Sequence, residues 1–210
     1  MIAVSLFIAA GALSVAPSLT VFSFIPWNQG TTAGAILGVV AAVAAFFVAL
    51  YPGFVLSASP SIPFWNSPLL PVLFLCSSLL GAAGIALLLS PLGVSGAALQ
   101  PVISLAALLI AVNLGLVVIH LTTLSRSAAA ARESVRRITG GTLGWTFKVG
   151  VLLIGMLLPL SILAGFPPVV SQVEPSAAIV AGASILVGGL LFRYCILKAG
   201  VYVAFPLARR

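Results

Sequence analysis

The chain has 210 residues, of which 62% are hydrophobic and 5% charged, with a formal net charge of +7. Water-soluble domains carry about a quarter charged residues, so this composition has no polar coat and specifies an integral membrane protein. No nucleic-acid partner is expected.

A bilayer core about 30 Å thick needs about 20 apolar residues per helix. Six such segments can be marked, at 2–25, 32–58, 66–90, 100–125, 145–166 and 175–200. They are apolar all round, whereas barrel strands alternate apolar and polar, so the expected fold is all-α. The sequence therefore predicts a bundle of six transmembrane helices forming one domain over 1–210.

The first segment, "MIAVSLFIAAGALSVAPS", lacks a positive n-region, and its apolar run continues past Pro17 to Phe24. It reads as a retained helix rather than a signal peptide. In the second segment Gly34 and Gly38 make a small-xxx-small step that lets helix backbones approach closely in lipid, as do Ser77 and Gly81 in the third and Gly182 to Gly189 in the last.

From the end of the second segment into the third runs "YPGFVLSASPSIPFWNSPLLPVLFL", where an apolar chain interrupts itself with five prolines. Pro52 removes a backbone donor and Gly53 loosens the turn, so the pair predicts a kink beside Tyr51. A tyrosine hydroxyl there can be offered to a carbonyl oxygen of a ligand, or it can be an interfacial anchor. Pro60, Pro63, Trp65 and Pro68 then fix an ordered, non-helical stretch. Such backbone at membrane depth is tolerated only when buried in protein or lining a cavity.

On the fourth segment Asn113 and His120 are seven residues apart, two turns, and so share a face. Asn113 can bond across the bundle and His120 can close the helix end, or both can touch a ligand. The segment "SRSAAAARESVRRITGG" reads as a short surface helix, with Glu133 and Arg137 at i,i+4. Anionic lipids would account for the charge of the 126–148 region. At the end of the sixth segment Tyr194, Lys198 and Tyr202 form a stripe beside Arg193, an arrangement ordinary for snorkelling anchors. With six spans all nine Lys and Arg residues fall on one face, which the positive-inside rule makes cytoplasmic, with both termini inside the cell membrane.

Several chemistries find no residues. The one histidine cannot supply the two imidazoles of a transmembrane b-type haem. Cys76 and Cys195 lie far apart with no paired spacing, so no metal site is expected. Glu133 and Glu174 fall in loops, which leaves the spans without the carboxylates usual in ion-coupled transport.

The stretch "LYPGFVLSASPSIPFWNSPLLPVLFLCSSLLGAAGIAL" resembles the NrfD/PsrC family, the membrane subunits of polysulfide reductase-like complexes. Weaker similarity lies in "GWTFKVGVLLIGMLLPL" and "LLFRYCILKAGVY", in the family's order. The resemblance implies a membrane anchor that exchanges electrons with a quinone, menaquinone or ubiquinone, without haem. It implies an iron–sulfur subunit and a molybdopterin catalytic subunit as partners. Tyr51 is the one residue whose position matches a quinone contact of the family; Trp65, Asn113 and His120 are added as candidates from their chemistry. Family members usually carry further helices ahead of this motif, so the expectation is a shortened or split member, one whose start is misassigned, or one completed by another membrane subunit. The alternative reading is a non-catalytic scaffold or a small transporter whose kinked helix gates a path.

Overall fold

A computed structural model describes residues 2–18, 27, 30–92, 96–164 and 174–203. The chain divides into two compact units, Met1–Pro52 and Gly53–Arg210. Every regular element among the described residues is helical.

Five helices are long and apolar enough to cross a membrane: Thr32–Ser57, Leu69–Leu88, Leu99–Ser125, Gly141–Leu163 and Ser176–Ala199. A helix satisfies its own backbone, which lipid cannot do for it, so uniformly apolar segments have no other open choice. The expected six spans are met in five. The first helix, α1, runs Ile2–Val15 and passes into a 3₁₀ turn at Ala16–Ser18. Its 14 residues reach about 21 Å, short of the hydrocarbon thickness. Pro17 lacks the N–H that would continue the α-helical ladder. The rest of that segment, residues 19–25, lies outside the described residues, as do 165 and 166 of the fifth segment and Arg209 and Arg210.

In the first unit the Trp27 indole donates to the Leu13 carbonyl at 3.1 Å. The boundary between the units falls inside α2, Thr32–Ser57, which runs helically through Pro52. Gly53 has a different reason from the one expected. A Cβ on it would lie 2.5 Å from Pro71 Cα, so the glycine permits close backbone approach and is not there to loosen a turn.

In the second unit α3 (Leu69–Leu88) and α8 (Pro175–Ala199) run antiparallel. Gly182 meets the Gly84 carbonyl near one end, and Phe74 meets Phe192 toward the other, with 6.4 Å between ring centroids. On the other flank of α3 lies α4 (Gly96–Ser125). The fifth span is built from α6 (Gly141–Trp145), a π-helical stretch Thr146–Leu157, and α7 (Leu158–Leu163). It crosses α8 with Gly155 against Gly188, backbone on backbone.

Before that span lies α5, Ala129–Thr139, the surface helix the charge pattern predicts. Ala131, Ser134 and Ile138 are buried while Arg132, Arg136 and Arg137 are exposed, the spacing of a helix lying on a surface. Gly141, at φ +62°, turns the chain from α5 into the fifth span, a conformation that strains residues with a side chain. The small-xxx-small steps divide. Gly38 and Gly81 face open space, whereas Gly182 is packed.

Candidate functional site

The proline-rich stretch is a chain of turns whose backbone bonds are closed locally. Ile62 N–H donates to Ser59 O at 3.3 Å, Trp65 N–H to Ile62 O at 2.9 Å, and Ser67 N–H to Trp65 O at 2.7 Å. Ser67 Oγ accepts from Leu69 N–H at 3.3 Å as α3 begins. Prolines suit this because they fix φ and ask for no partner.

The stretch is then fastened to the end of α8. Trp65 Nε1 donates to Ile196 O at 2.9 Å, and Gly200 lies so close to the indole that a Cβ there would fall 2.9 Å from it. Beyond α8, Val201 N–H donates to Ser134 Oγ at 3.1 Å and Val203 N–H to Ser61 O at 2.9 Å. One short segment thus ties the proline stretch to α5. Together the three pieces close one end of the second unit, the end that carries Arg132, Arg136, Arg137 and Lys198.

Beneath this closure lies His120. Its ring is 1% exposed and meets the edge of Phe64, which is fully buried. Neither ring nitrogen has a hydrogen-bond partner among the described residues. Two turns farther from the closed end, Asn113 is also 1% exposed, and its carboxamide oxygen is unpartnered. Ser77, Gly155, Met156, Gly188 and Phe192 surround Asn113 and leave a void of about 10 Å³. That is room for about one water molecule. Arg193 reaches Ser78 Oγ at 3.3 Å, a guanidinium on a transmembrane helix whose described partner is a neutral hydroxyl.

Tyr51 differs from these groups. Its side chain is 63% exposed on an apolar helix, and its hydroxyl makes no hydrogen bond among the described residues. Of the four candidate contacts, only Tyr51 offers an exposed polar atom without a hydrogen bond among the described residues. The Trp65 N–H is already bonded to Ile196, His120 is covered by Phe64, and the void at Asn113 is too small for a quinone ring. The fit to a quinone therefore rests on Tyr51.

Phe64 and Arg193 carry more of this arrangement than their sequence positions suggest. An aromatic inside a proline stretch looks like an interfacial anchor until its burial is known. Arg193 stands five residues before Lys198 and so reads as one of a cluster of anchors, although it reaches back along α8 to α3.

On α5, Glu133 pairs with Arg136 at 2.9 Å and with Arg137 at 3.5 Å. The hydrogen bond from Arg136, its charge and the weaker pull of Arg137 hold the Glu133 carboxyl below the ordinary carboxylate range. Both cysteines are free. Among the described residues no group of three or more His, Cys, Asp or Glu side chains is placed to hold a metal ion.

The family model described as polysulphide reductase, NrfD, matches residues 11–205. Protein NrfD of Escherichia coli (strain K12) is 33% identical, in a match covering 75% of this chain and 50% of that protein. The chain spans about half the length of that curated relative. No solved structure matches it. With the family model covering nearly the whole chain and the quoted motifs lying inside the match, the chain belongs to the NrfD polysulphide reductase family.

Proposed function

We propose that this chain is the haem-free, quinone-facing membrane subunit of a multi-subunit oxidoreductase. In this reading it works with an iron–sulfur subunit and a molybdopterin catalytic subunit, and residues 1–210 act as one membrane domain. Family membership supports the assignment to such a complex. The observation that supports a quinone contact is Tyr51, whose hydroxyl, unbonded among the described residues, is exposed on an apolar, membrane-length helix.

A bound quinone would supply the two-electron chemistry, and it would reach Tyr51 from the lipid. The Tyr51 hydroxyl donates to a quinone carbonyl and fixes the orientation of the ring. Pro52, one residue on, leaves the Val48 carbonyl without its helical partner, a second polar atom near the same turn. Trp65, Asn113 and His120 remain candidates for contact only if the proline stretch lifts away from His120. In the closed arrangement they serve packing. Their burial is what favours the competing reading of a non-catalytic scaffold or small transporter.

We place the basic face in the cytoplasm by the positive-inside rule, in the inner membrane, with both termini on that side and the first segment completing a sixth span.

The test is Tyr51→Phe in the assembled complex, read as quinol-linked activity. A neutral hydrogen bond contributes about 0.5–1.5 kcal/mol net, so apparent quinone affinity should fall about two- to twelvefold with assembly intact. Unchanged affinity and unchanged turnover would make Tyr51 an anchor and favour the scaffold.

A further inference from the structure

Between α5, the first turns of the fifth span and the end of α8 lies an open cleft of about 430 Å³, lined by Arg137, Gly140, Thr142, Leu143, Thr146, Tyr194 and Lys198. Small-molecule sites run from about 300 to 1,000 Å³, so the cleft is large enough for a headgroup. Among the described residues two cations line it and no acid does. Lys198 is exposed and has no ion pair among the described residues. Arg137 shares Glu133 with Arg136, which holds that carboxylate at the shorter distance, so the guanidinium of Arg137 is only partly neutralised. Tyr194 adds a phenol, and Thr142 and Thr146 add hydroxyls.

The surroundings set the depth of the cleft. Trp145, which precedes the lining residue Thr146 in the chain, and Tyr202, four residues past Lys198, are 71% and 67% exposed, as aromatics are where lipid headgroups begin. From Tyr194 the same face of α8 continues through Leu197 and Leu190, both largely exposed, at i,i+3 and i,i+4 spacing. A cationic cleft thus opens onto an apolar stripe running along a transmembrane helix.

We infer that this cleft is a specific site for an acidic phospholipid. Its phosphate is held by Lys198 and Arg137 with the Tyr194 hydroxyl, and an acyl chain lies along Leu197 and Leu190. The inference stands apart from the quinone reading, since it shares no residue with Tyr51 or its helix. It also goes further than a general attraction of the 126–148 region for anionic lipid, because it requires residues from α8.

The test uses the full chain reconstituted in phosphatidylcholine vesicles holding a minor fraction of phosphatidylglycerol. The chain is then extracted in mild detergent and its retained lipid identified by native mass spectrometry. Wild type should retain phosphatidylglycerol in excess of its share. Removing one cation from a site at an anionic surface costs about fivefold, so Lys198→Gln should lower the excess by about that factor while Lys198→Arg keeps it. Arg126→Gln, also exposed but outside the cleft, should leave the excess unchanged. Should Lys198→Gln fail to fold, Tyr194→Phe gives a second reading, expected to be a few-fold loss. Equal losses from Arg126→Gln and Lys198→Gln would reduce the effect to diffuse charge and overturn the site. No excess in wild type would overturn it as well. Displacement of the lipid by inorganic phosphate would assign the cleft to a soluble phosphate and overturn the lipid, whereas retention in its presence supports the headgroup.

Discussion

The ring of Phe64 stands edge-on to the imidazole of His120, with 5.5 Å between centroids and 66° between planes. Phe64 comes from a proline-bound turn and His120 from the last third of a transmembrane helix. Their contact makes an irregular loop part of the bundle's interior. It also leaves two ring nitrogens in an apolar setting without partners among the described residues.

That situation predicts a particular response to substitution. An unsatisfied buried polar group costs about 1–3 kcal/mol, and leucine is close to histidine in volume. His120→Leu should therefore hold or raise the thermal midpoint of the detergent-solubilised chain, by an amount equivalent to about 1 kcal/mol. A clear loss of stability would mean that His120 has a partner in the membrane, such as an ordered water.

The crossing of the fifth span and α8 makes a sharper demand. A Cβ on Gly155 would lie 2.5 Å from Gly188 Cα, so neither backbone has room to give. Gly188→Ala should push the helices apart and prevent stable folding, a cost of about 3 kcal/mol or more by analogy with overpacked cores. Gly81→Ala, where nothing lies within 4 Å, should be neutral or slightly stabilising, because alanine is the better helix former. Equal behaviour of the two in a thermal unfolding series would contradict the crossing.

Acid should act on α5 before the bundle. The pairing of Glu133 with Arg136 and Arg137 lowers its folded pKa, so the group stabilises the helix above its unfolded pKa, about 4.3. The contribution is lost as pH falls through the depressed folded value. Hydrogen-exchange protection of α5, corrected for intrinsic rates, should be flat from pH 7 to 5 and decline below about pH 4. Glu133→Gln should abolish that decline. A decline unchanged in Glu133→Gln would assign it to another group.

Sidedness can be read with single cysteines in a background lacking Cys76 and Cys195. Ser134 is unsuitable because it is buried and bonded to Val201. Ser127 and Ser176 are both exposed, at opposite ends of the fifth and last spans. Ser127→Cys should be labelled from the cytoplasm and Ser176→Cys from outside. Labelling of both from one side would remove the proposed topology.

The individual elements were largely legible in the sequence. Long apolar runs can only be helices in lipid, and Glu133 with Arg137 at i,i+4 marks α5 in the sequence itself. What could not be read was which faces meet. When every side of a helix is apolar there is no amphipathic period to point inward, so Gly38 and Gly81 looked as well suited to packing as Gly182, yet they face open space. The site shows the same division. Tyr51 announced itself through Pro52, whereas the burial of His120 under Phe64 depends on how a loop folds back. No local pattern encodes that.

The tie made by residues 200–203 has a consequence for biogenesis. Val201 and Val203 leave the ribosome after both of the elements they fasten, α5 and the turn at Ser61. Until α8 has inserted, Trp65 has no Ile196 carbonyl to bond and the proline stretch has no anchor on its far side. The proline stretch that covers His120 is therefore fastened on this side only after α8 and the residues just beyond it have been made, so closure of this end follows insertion of that helix.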